Sequence, residues 1–305
     1  MENLHGRFFS TFSVTGYDPA TGDLGAAVAS RFPAVGAACL TGIGGVGIVA
    51  NQSWWKADFN RRSMMLLESG FTAEDVIREL LKGDAEREFR QISVIDSEGL
   101  VATHSGKCCQ EWAGYLKGMN CSAQGNVLDG PHVVKAMVNS FERTEGDLID
   151  KLMEAIAEGD RSGGDMRGKQ SAAILVVRKN GGYRFEGDRL LDLRVDDHPS
   201  PITELERLVK VYDSQVLHRL GSREMYLMQG PDVSELQVML KDLGFYNKEP
   251  DGWFDRDTQD SVRAFERAFE IKEWGYVSLP TLRQIKKAHA ESLGKSKVEN
   301  VARKA

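Results

Sequence analysis

The sequence predicts an α+β fold in which two β-sheets pack face to face with a helix layer outside each, followed by a small three-helix unit. Strand-like and helical segments occur in the order strands, two helices, strands, two helices, strands. The composition changes near residue 196, at the segment DDHPSP. From about residue 229 to 290, three apolar stripes then recur with helical spacing.

The first strands are predicted to form β-hairpins. The segment TFSVTGY (11–17) alternates apolar and small polar residues, and the turn YDPATGDLG (17–25) joins it to LGAAVASRF (24–32). The polar face of the first strand has two interpretations: it carries a nucleophile, or it is the wet face of an edge strand. Further strands are predicted in AACLTGIGGVGIVANQ (37–52), QISVIDSEGLVATHSG (91–106) and KQSAAILVVRKNGGYRFEGDRLLDLRV (169–195).

Amphipathic helices are predicted where a capping signal precedes a 3.6-residue apolar period. Thr72 with Asp75 is a capping signal for a helix over 73–82, and Pro131 suits the first position of a helix that runs to about Phe141. Two more helices are predicted over 57–69 and 147–159.

Composition and charge limit the class of protein. The 305 residues are 41% apolar with a formal net charge of −6, so a soluble protein with a real core is expected, and nucleic acid is not an expected partner. The longest apolar runs, such as SAAILVV, are too short to cross a bilayer. The opening MENLHGRFFSTFSV lacks a secretory pattern, which favours a cytoplasmic location. Free thiols, with no metal site, are expected for Cys39, Cys108, Cys109 and Cys121.

Four blocks of the sequence carry a family resemblance. They are TFSVTGYDPATGDLGAAVASRFPAVGA, FRQISVIDSEGLVATHSG, QGNVLDG and GGDMRGKQSAAILVV. In this order they resemble a bacterial family known as domain of unknown function 1028. The resemblance implies the N-terminal-nucleophile hydrolase fold, a four-layer αββα sandwich, for residues 8–212. The remaining predicted segments are the end of a linker helix (213–228), the three-helix domain (229–290) and a polar tail (291–305).

The same resemblance implies that Thr11 is a nucleophile. In such hydrolases the nucleophile is the first residue of the mature chain, because its free α-amine, with a pKa of about 7.7–8.0, accepts the hydroxyl proton. Ten residues precede Thr11. Activity therefore requires that the Ser10–Thr11 bond be cut, or that translation begin elsewhere. The alternative is a structural threonine on a strand next to solvent.

Further site residues are predicted around Thr11. By the resemblance, Ser30 and Arg31 approach the nucleophile, and Arg31 keeps the amine neutral or binds a substrate carboxylate. A surface ion pair is the alternative for Arg31. Asn51 is predicted to donate to an oxyanion, and Asn126 to offer its amides at a loop; both are equally consistent with turn capping.

Charged residues complete this predicted site. In GGDMRGKQS (163–171), Asp165 is predicted to orient the α-amine and Arg167 to bind an anion, with a structural Asp–Arg clasp as the alternative. His104, in THSG at a strand end, is a further predicted substrate-binding residue.

The unit over 229–290 is predicted to contain three helices, with Asp255 as an N-cap. Leu236–Gln237, LGFY, DGWF, Thr258 and a final TL resemble the peptidoglycan-binding domain of cell-wall hydrolases. The resemblance implies a muropeptide partner and a stacking face made of Tyr246, Trp253 and Phe254. The alternatives are that these rings form the core and that the unit is a protein-interaction or dimerisation module.

The sequence thus favours an amidohydrolase that acts on a small amide or peptide-like substrate through Thr11, with no cofactor. Two alternatives stay open. One is a non-catalytic binding protein in which Arg31 and the Asp165–Arg167 turn hold an anionic ligand. The other is an assembly protein, such as a homodimer, that associates through the C-terminal unit.

Overall fold

The computed structural model describes residues 8–182, 186–217, 230–271, 273, 275, 277 and 279–302. The chain divides into two compact units with the boundary between Val209 and Lys210. The predicted linker begins with a π-helical turn, Asp213–Leu217, and its residues 218–228 lie outside the described residues.

The first unit is a mixed α+β structure, which confirms the predicted class. Its strands are β1 (Phe8–Phe9), β2 (Thr11–Asp18), β3 (Asp23–Ser30), β4 (Leu40–Ile43), β5 (Gly47–Trp54), β6 (Arg90–Asp96), β7 (Val101–Ser105), β8 (Gly114–Gly118), β9 (Cys121–Gly125), β10 (Ser171–Val177) and β11 (Arg189–Val195). They form two antiparallel sheets. The first has the order β1-β5-β6-β7, with β4 also paired to β5, and the second has the order β11-β10-β3-β2-β9-β8.

Helices cover the outer face of each sheet. The helices of the first unit are α1 (Val35–Cys39), α2 (Ala57–Glu68), α3 (Ala73–Leu81), α4 (Pro131–Arg143), α5 (Leu148–Arg161) and α6 (Pro201–Tyr212). The pair α2 and α3 packs on the first sheet, and the pair α4 and α5 packs on the second. The two sheets share an apolar cluster that includes Val28 of β3 and Ile48 of β5. Fully burying each such side chain contributes about 1.5–3 kcal/mol.

Local sequence explains where the helices begin. The Thr72 side chain accepts a hydrogen bond from the Asp75 backbone N–H at the start of α3, as predicted. Asp147 and Asp150 form a capping box at the start of α5. A glycine brings α4 close to β2 of the second sheet, because a Cβ on Gly16 would lie 2.6 Å from the Phe141 ring.

Two features of the sheets differ from the sequence prediction. The strand β2 is a central strand, so the interpretation as an edge strand with a wet polar face is wrong. Its polar residues Thr11, Ser13 and Thr15 are fully buried. The β8–β9 hairpin was not predicted, because its short strands are glycine-rich and turn through Asn120, a non-glycine residue with a φ of 59°.

The second unit contains α7 (Pro231–Asp242), α8 (Arg256–Ala268) and α9 (Leu279–Ala302). Their apolar residues form one cluster, which includes Leu236, Val262 and Phe265. The Asp255 side chain accepts a hydrogen bond from the Thr258 backbone N–H, as its predicted N-cap role requires. The helix α9 continues through most of the predicted polar tail to Ala302, a segment that contains the helix-forming residues Glu, Leu and Lys.

Candidate functional site

The chain passes from one sheet to the other at Ser10. Residues Phe8 and Phe9 pair with Trp54 and Ser53 in the first sheet, whereas Thr11 begins β2 in the second sheet. Both Ser10 and Thr11 are fully buried. The Ser10–Thr11 peptide bond therefore lies at the crossing point between the two sheets, enclosed by protein.

The carbonyl oxygen of Ser10 accepts two hydrogen bonds. The Ser30 hydroxyl donates to it at 2.5 Å, and Arg167 Nη2 donates at 3.2 Å. The Thr11 hydroxyl donates in turn to Ser30 Oγ at 3.3 Å. The Thr11 hydroxyl, the Ser30 hydroxyl and a carbonyl that accepts two hydrogen bonds are thus linked in one chain of contacts, an arrangement that could support acyl transfer chemically.

The turn that carries Asp165 aims Arg167 at this carbonyl. Asp165 Oδ1 accepts hydrogen bonds from the Arg167 backbone N–H at 3.0 Å and from Nε at 3.2 Å. Asp165 Oδ2 accepts one from Arg167 Nη2 at 3.0 Å and another from the Arg31 backbone N–H at 3.0 Å. The side chain of Asp165 is only 1% exposed, so the turn holds the Arg167 guanidinium by a buried charge.

A second loop closes the site from the side of β9. The Asn126 backbone N–H donates to the Thr11 carbonyl oxygen at 3.0 Å, and Ser10 Oγ donates to the Asn126 carbonyl oxygen at 3.1 Å. The next residue, Val127, has a φ of 54°, which is unfavourable for a β-branched side chain. The Met166 backbone N–H donates to the Val127 carbonyl oxygen at 3.0 Å, so this strained loop is tied to the turn of Asp165.

Sequence reasoning missed a buried network of amides between the sheets. Gln52 Nε2 donates to the Thr11 carbonyl oxygen at 3.1 Å and to Gln91 Oε1 at 2.8 Å. The Ser13 hydroxyl donates to Gln52 Oε1 at 2.7 Å, and Asn126 Nδ2 donates to Gln91 Oε1 at 2.9 Å. The sequence signal for this network was the row of alternating hydroxyl residues along β2. This row indicates a buried polar face only when β2 is known to be a central strand of its sheet.

The structure brings together most of the predicted site residues. Ser30 and Arg167 contact Ser10, and Asp165 holds Arg167. Arg31 contributes mainly its backbone to Asp165, and its Nη1 donates to the Arg167 carbonyl oxygen at 3.2 Å.

The structure places two of the predicted site residues, Asn51 and His104, outside this cluster, contrary to the prediction. Asn51 Nδ2 donates to the Lys56 carbonyl oxygen and to Asn60 Oδ1 on the face of β5 that α2 covers, because adjacent strand residues point to opposite faces. The neighbouring amide of Gln52 faces the cluster instead, where its Nε2 donates to the Thr11 carbonyl oxygen. His104 shares the helix-covered face with Ile92, its register partner, and its Nε2 contacts the Arg87 carbonyl oxygen at 2.9 Å.

A buried arginine fixes the end of β5 next to β1. Arg90 is 2% exposed, and it donates to the Trp54 carbonyl oxygen and to both carboxylate oxygens of Asp84. Hydrogen bonding from Arg90 lowers the pKa of the Asp84 carboxyl below its ordinary value. The backbone at Trp54 is thereby held by the Arg90 side chain in addition to its pairing with β1.

The cysteines are not part of this cluster. All four are free, as expected. Burial raises the pKa of the Cys121 thiol to about 12 and also raises the pKa of Cys39 and Cys109. Within the described residues, no three His, Cys, Asp or Glu side chains are grouped as metal ligands.

In the second unit, Gln237 organises the DGWF turn. Its Oε1 accepts from the backbone N–H groups of Asp251 and Gly252, each at 2.9 Å, and its Nε2 donates to the Trp253 carbonyl oxygen at 3.1 Å. Trp253 is 73% exposed, whereas Tyr246 is 2% exposed and Phe254 packs against the core. Of the predicted stacking face, only Trp253 presents an open ring; Tyr246 belongs to the core.

These features define an α+β protein with a buried hydroxyl–carbonyl cluster between two antiparallel sheets. The chain belongs to the family of unknown function DUF1028, which it matches over residues 11–205. Residues 229–285 match the peptidoglycan-binding domain PG_binding_1.

Two solved structures are similar to parts of this chain. Protein SPO2555 from Silicibacter pomeroyi, a DUF1028 structure, has a TM-score of 0.61 and 28% identity, covering 67% of this chain and 86% of that chain. The Anbu (Gly-1) mutant from Hyphomicrobium sp. strain MC1 has a TM-score of 0.35 and 12% identity, covering 71% of this chain and 99% of that chain, a score too low to support an argument.

Among curated proteins, the N-acetylmuramoyl-L-alanine amidase CwlM of Mycobacterium tuberculosis is 34% identical over 73 residues. The match covers 22% of this chain and 18% of that protein, so the chain spans less than a fifth of the length of this relative. Every helix in the described part of the chain is too short or too polar to cross a membrane.

Proposed function

We propose that the first unit is an amidohydrolase of the N-terminal-nucleophile type, an αββα sandwich in which Thr11 becomes the nucleophile once residues 1–10 are removed. One observation carries the proposal: the Ser10 carbonyl oxygen lies between Ser30 Oγ and Arg167 Nη2, with the Thr11 hydroxyl in contact with Ser30. Residues 1–7 of the segment to be removed lie outside the described residues.

The removal is an acyl shift within the chain. Thr11 Oγ1 attacks the Ser10 carbonyl carbon, its proton passes to Ser30 Oγ, and the Ser30 proton passes to the Ser10 carbonyl oxygen. Arg167 stabilises the charge that develops on this oxygen. Collapse breaks the Ser10–Thr11 C–N bond as the hydroxyl proton of this intermediate returns through Ser30 Oγ to the nitrogen, which re-forms the Ser10 carbonyl as an ester on Thr11 Oγ1. Water then hydrolyses the ester to the Ser10 carboxylate and a Thr11 residue with a free α-amine.

The mature site repeats this chemistry on a substrate amide. The α-amine accepts the hydroxyl proton as Thr11 Oγ1 bonds to the substrate carbonyl carbon, and the same proton then goes to the leaving amine. Water hydrolyses the acyl-enzyme. Ser30 and Arg167 serve as oxyanion donors, and Asp165 is a positioning residue because it acts through Arg167. A purely anion-binding role is less well supported, since Asp165 already neutralises Arg167.

The C-terminal unit is proposed to direct this hydrolase to peptidoglycan fragments in the cytoplasm. The support is its match to a peptidoglycan-binding domain, together with the exposed Trp253 ring on a turn that Gln237 fixes. An aromatic ring of this kind can stack on a sugar face. A soluble muropeptide is therefore the proposed partner.

The proposal is tested by the intact mass and N-terminal sequence of the purified chain. Loss of residues 1–10 is expected for the wild type, and Thr11→Ala should keep them. Ser63→Ala is the matched control, because Ser63 is equally buried but donates to Phe59 within α2. A wild-type chain that retains its first ten residues contradicts the proposal.

A further inference from the structure

The strand β1 marks a binding slot beside Thr11. Its backbone pairs antiparallel with the end of β5, Phe8 with Trp54 and Phe9 with Ser53. This end of β5 does not depend on β1 for its position. Arg90 holds the Trp54 carbonyl oxygen, while Asp84 and Glu86 hold Arg90. The slot is therefore expected to persist after residues 1–10 leave.

Chemistry links this slot to the acyl group of a substrate. When the Ser10 carbonyl carbon moves from the Thr11 nitrogen to Thr11 Oγ1, it passes through a five-membered ring made within one residue. The acyl chain therefore stays where residues 8–10 lie. An incoming substrate must place its carbonyl carbon beside the same Oγ1 and its carbonyl oxygen at the same donors, Ser30 and Arg167. Its acyl chain then extends along the end of β5.

We propose that the acyl side of the substrate is an extended peptide of at least three residues that replaces residues 8–10 and pairs with Ser53–Trp54. This inference rests on the proposed function and narrows its substrate from small amides to peptides. A peptide bound in this way takes the position on β5 that the backbone of β1 now occupies, whereas a small amide does not extend that far along the strand. The covalent step is the one given above, in which the Thr11 ester forms as the substrate C–N bond breaks.

The slot also selects a side chain. The rings of Trp54 and Phe89 lie 6.4 Å apart at an angle of 49°, and Phe89 is 37% exposed. Trp54 is the register partner of the third residue before the scissile bond, Phe8. Because directly opposed residues on antiparallel strands share a face, an aromatic or aliphatic residue is favoured at this position of the substrate.

The test compares coumarin amides of acetyl-Ser, acetyl-Phe-Ser and acetyl-Phe-Phe-Ser on the purified, processed chain. We expect kcat/KM to rise at least tenfold from the shortest to the longest, as two or more hydrogen bonds and one apolar contact are added. In an antiparallel strand, every second residue directs its N–H group towards a given neighbouring strand. Proline has no N–H group, so replacing the phenylalanine whose N–H points at β5 should lower kcat/KM, whereas proline at the other phenylalanine position should be tolerated.

A matched pair of variants tests the side-chain preference. Phe89→Ala should lower the ratio of kcat/KM for the longest amide to kcat/KM for acetyl-Ser amide about tenfold. Phe71→Ala, which removes a ring of similar exposure from the turn before α3, should leave this ratio unchanged.

The outcomes separate this inference from the proposed function. Equal turnover of short and long amides overturns the inference while the hydrolase stands. A processed chain that cleaves no amide overturns the hydrolase. In that case, hydrogen exchange with the product acetyl-Phe-Phe-Ser decides the inference: slowed exchange at Ser53–Trp54 supports it, and unchanged exchange overturns it. A chain that retains residues 1–10 overturns both.

Discussion

Arg167 donates a hydrogen bond across the site to the carbonyl oxygen of Ser10, 157 residues earlier in the chain. The Asp165 carboxylate binds the same guanidinium and is itself almost fully buried. The contact is therefore held by the fold rather than by a freely rotating side chain, and it ties the loop after α5 to the segment before β2.

The first prediction concerns this arginine and its support. Arg167→Met should slow release of residues 1–10 by about 10²–10³-fold, because removing one donor from a developing oxyanion costs about 2.7–4 kcal/mol. The time course of the mass change after synthesis measures this rate. Arg194→Met, which removes an arginine paired with Asp192 on β11, is the control. Equal rates for the two variants would contradict the role of Arg167.

The second prediction concerns the Ser30 hydroxyl. Ser30→Ala removes both the donor to Ser10 and the acceptor for Thr11, so release should slow by about 10-fold or more, and Ser30→Thr should restore part of the rate. Thermal unfolding of each variant shows whether the protein is still folded, so that slow release caused by the missing hydroxyl can be distinguished from slow release caused by unfolding. Normal release by a stable Ser30→Ala protein rules out the relay.

The third prediction concerns the amide network. Gln52→Ala removes one hydrogen-bond partner from the buried Ser13 hydroxyl and one from the buried Gln91 Oε1. It should therefore lower the free energy of unfolding by about 2–4 kcal/mol. Urea unfolding measures the change. Gln110→Ala, at an exposed glutamine, should stay within about 0.5 kcal/mol of the wild type. A Gln52→Ala protein as stable as this control would show that the network contributes little.

The fourth prediction concerns acid stability. The pKa of Asp84 is lower in the folded chain than its ordinary value of 3.8, so its ionised form stabilises the fold above that pH. This contribution is lost as the pH falls through the lower folded pKa. The Tm of the wild type should therefore fall more steeply below about pH 4 than the Tm of Asp84→Asn. Parallel Tm curves for wild type and Asp84→Asn would exclude this linkage.

The fifth prediction concerns the C-terminal unit. Trp253→Ala should abolish binding of a soluble muropeptide, measured by calorimetry, without lowering Tm, because the ring is mostly exposed. Val238→Ala, at an exposed position on α7, should bind normally. Unchanged binding by Trp253→Ala would remove this ring from the proposed partner site.

The two-sheet class and most helix starts were predictable, because periodicity and capping are local properties. Thr72 and Asp255 illustrate this, since each caps its helix through a residue three positions away. The place of β2 was not predictable in the same way. Whether a row of hydroxyl residues faces water or another sheet depends on strand order, which long-range pairing determines.

The same limit explains the site. The sequence singled out Ser30 and Arg167, but their contacts with Ser10 join residues that are 20 and 157 positions apart in the chain. Asn51 and Gln52 show the cost of a one-residue error: neighbouring amides on β5 face opposite layers, and only Gln52 reaches Thr11.

The position of Ser10 between the sheets has a mechanical consequence. Phe9 pairs in the first sheet and Thr11 in the second, so the Ser10–Thr11 bond is part of a covalent tie between the two layers. Severing it would let the layers separate there independently, opening an entrance at the same moment that the nucleophile is released. Activation and access would then be a single event, and no separate lid would be needed.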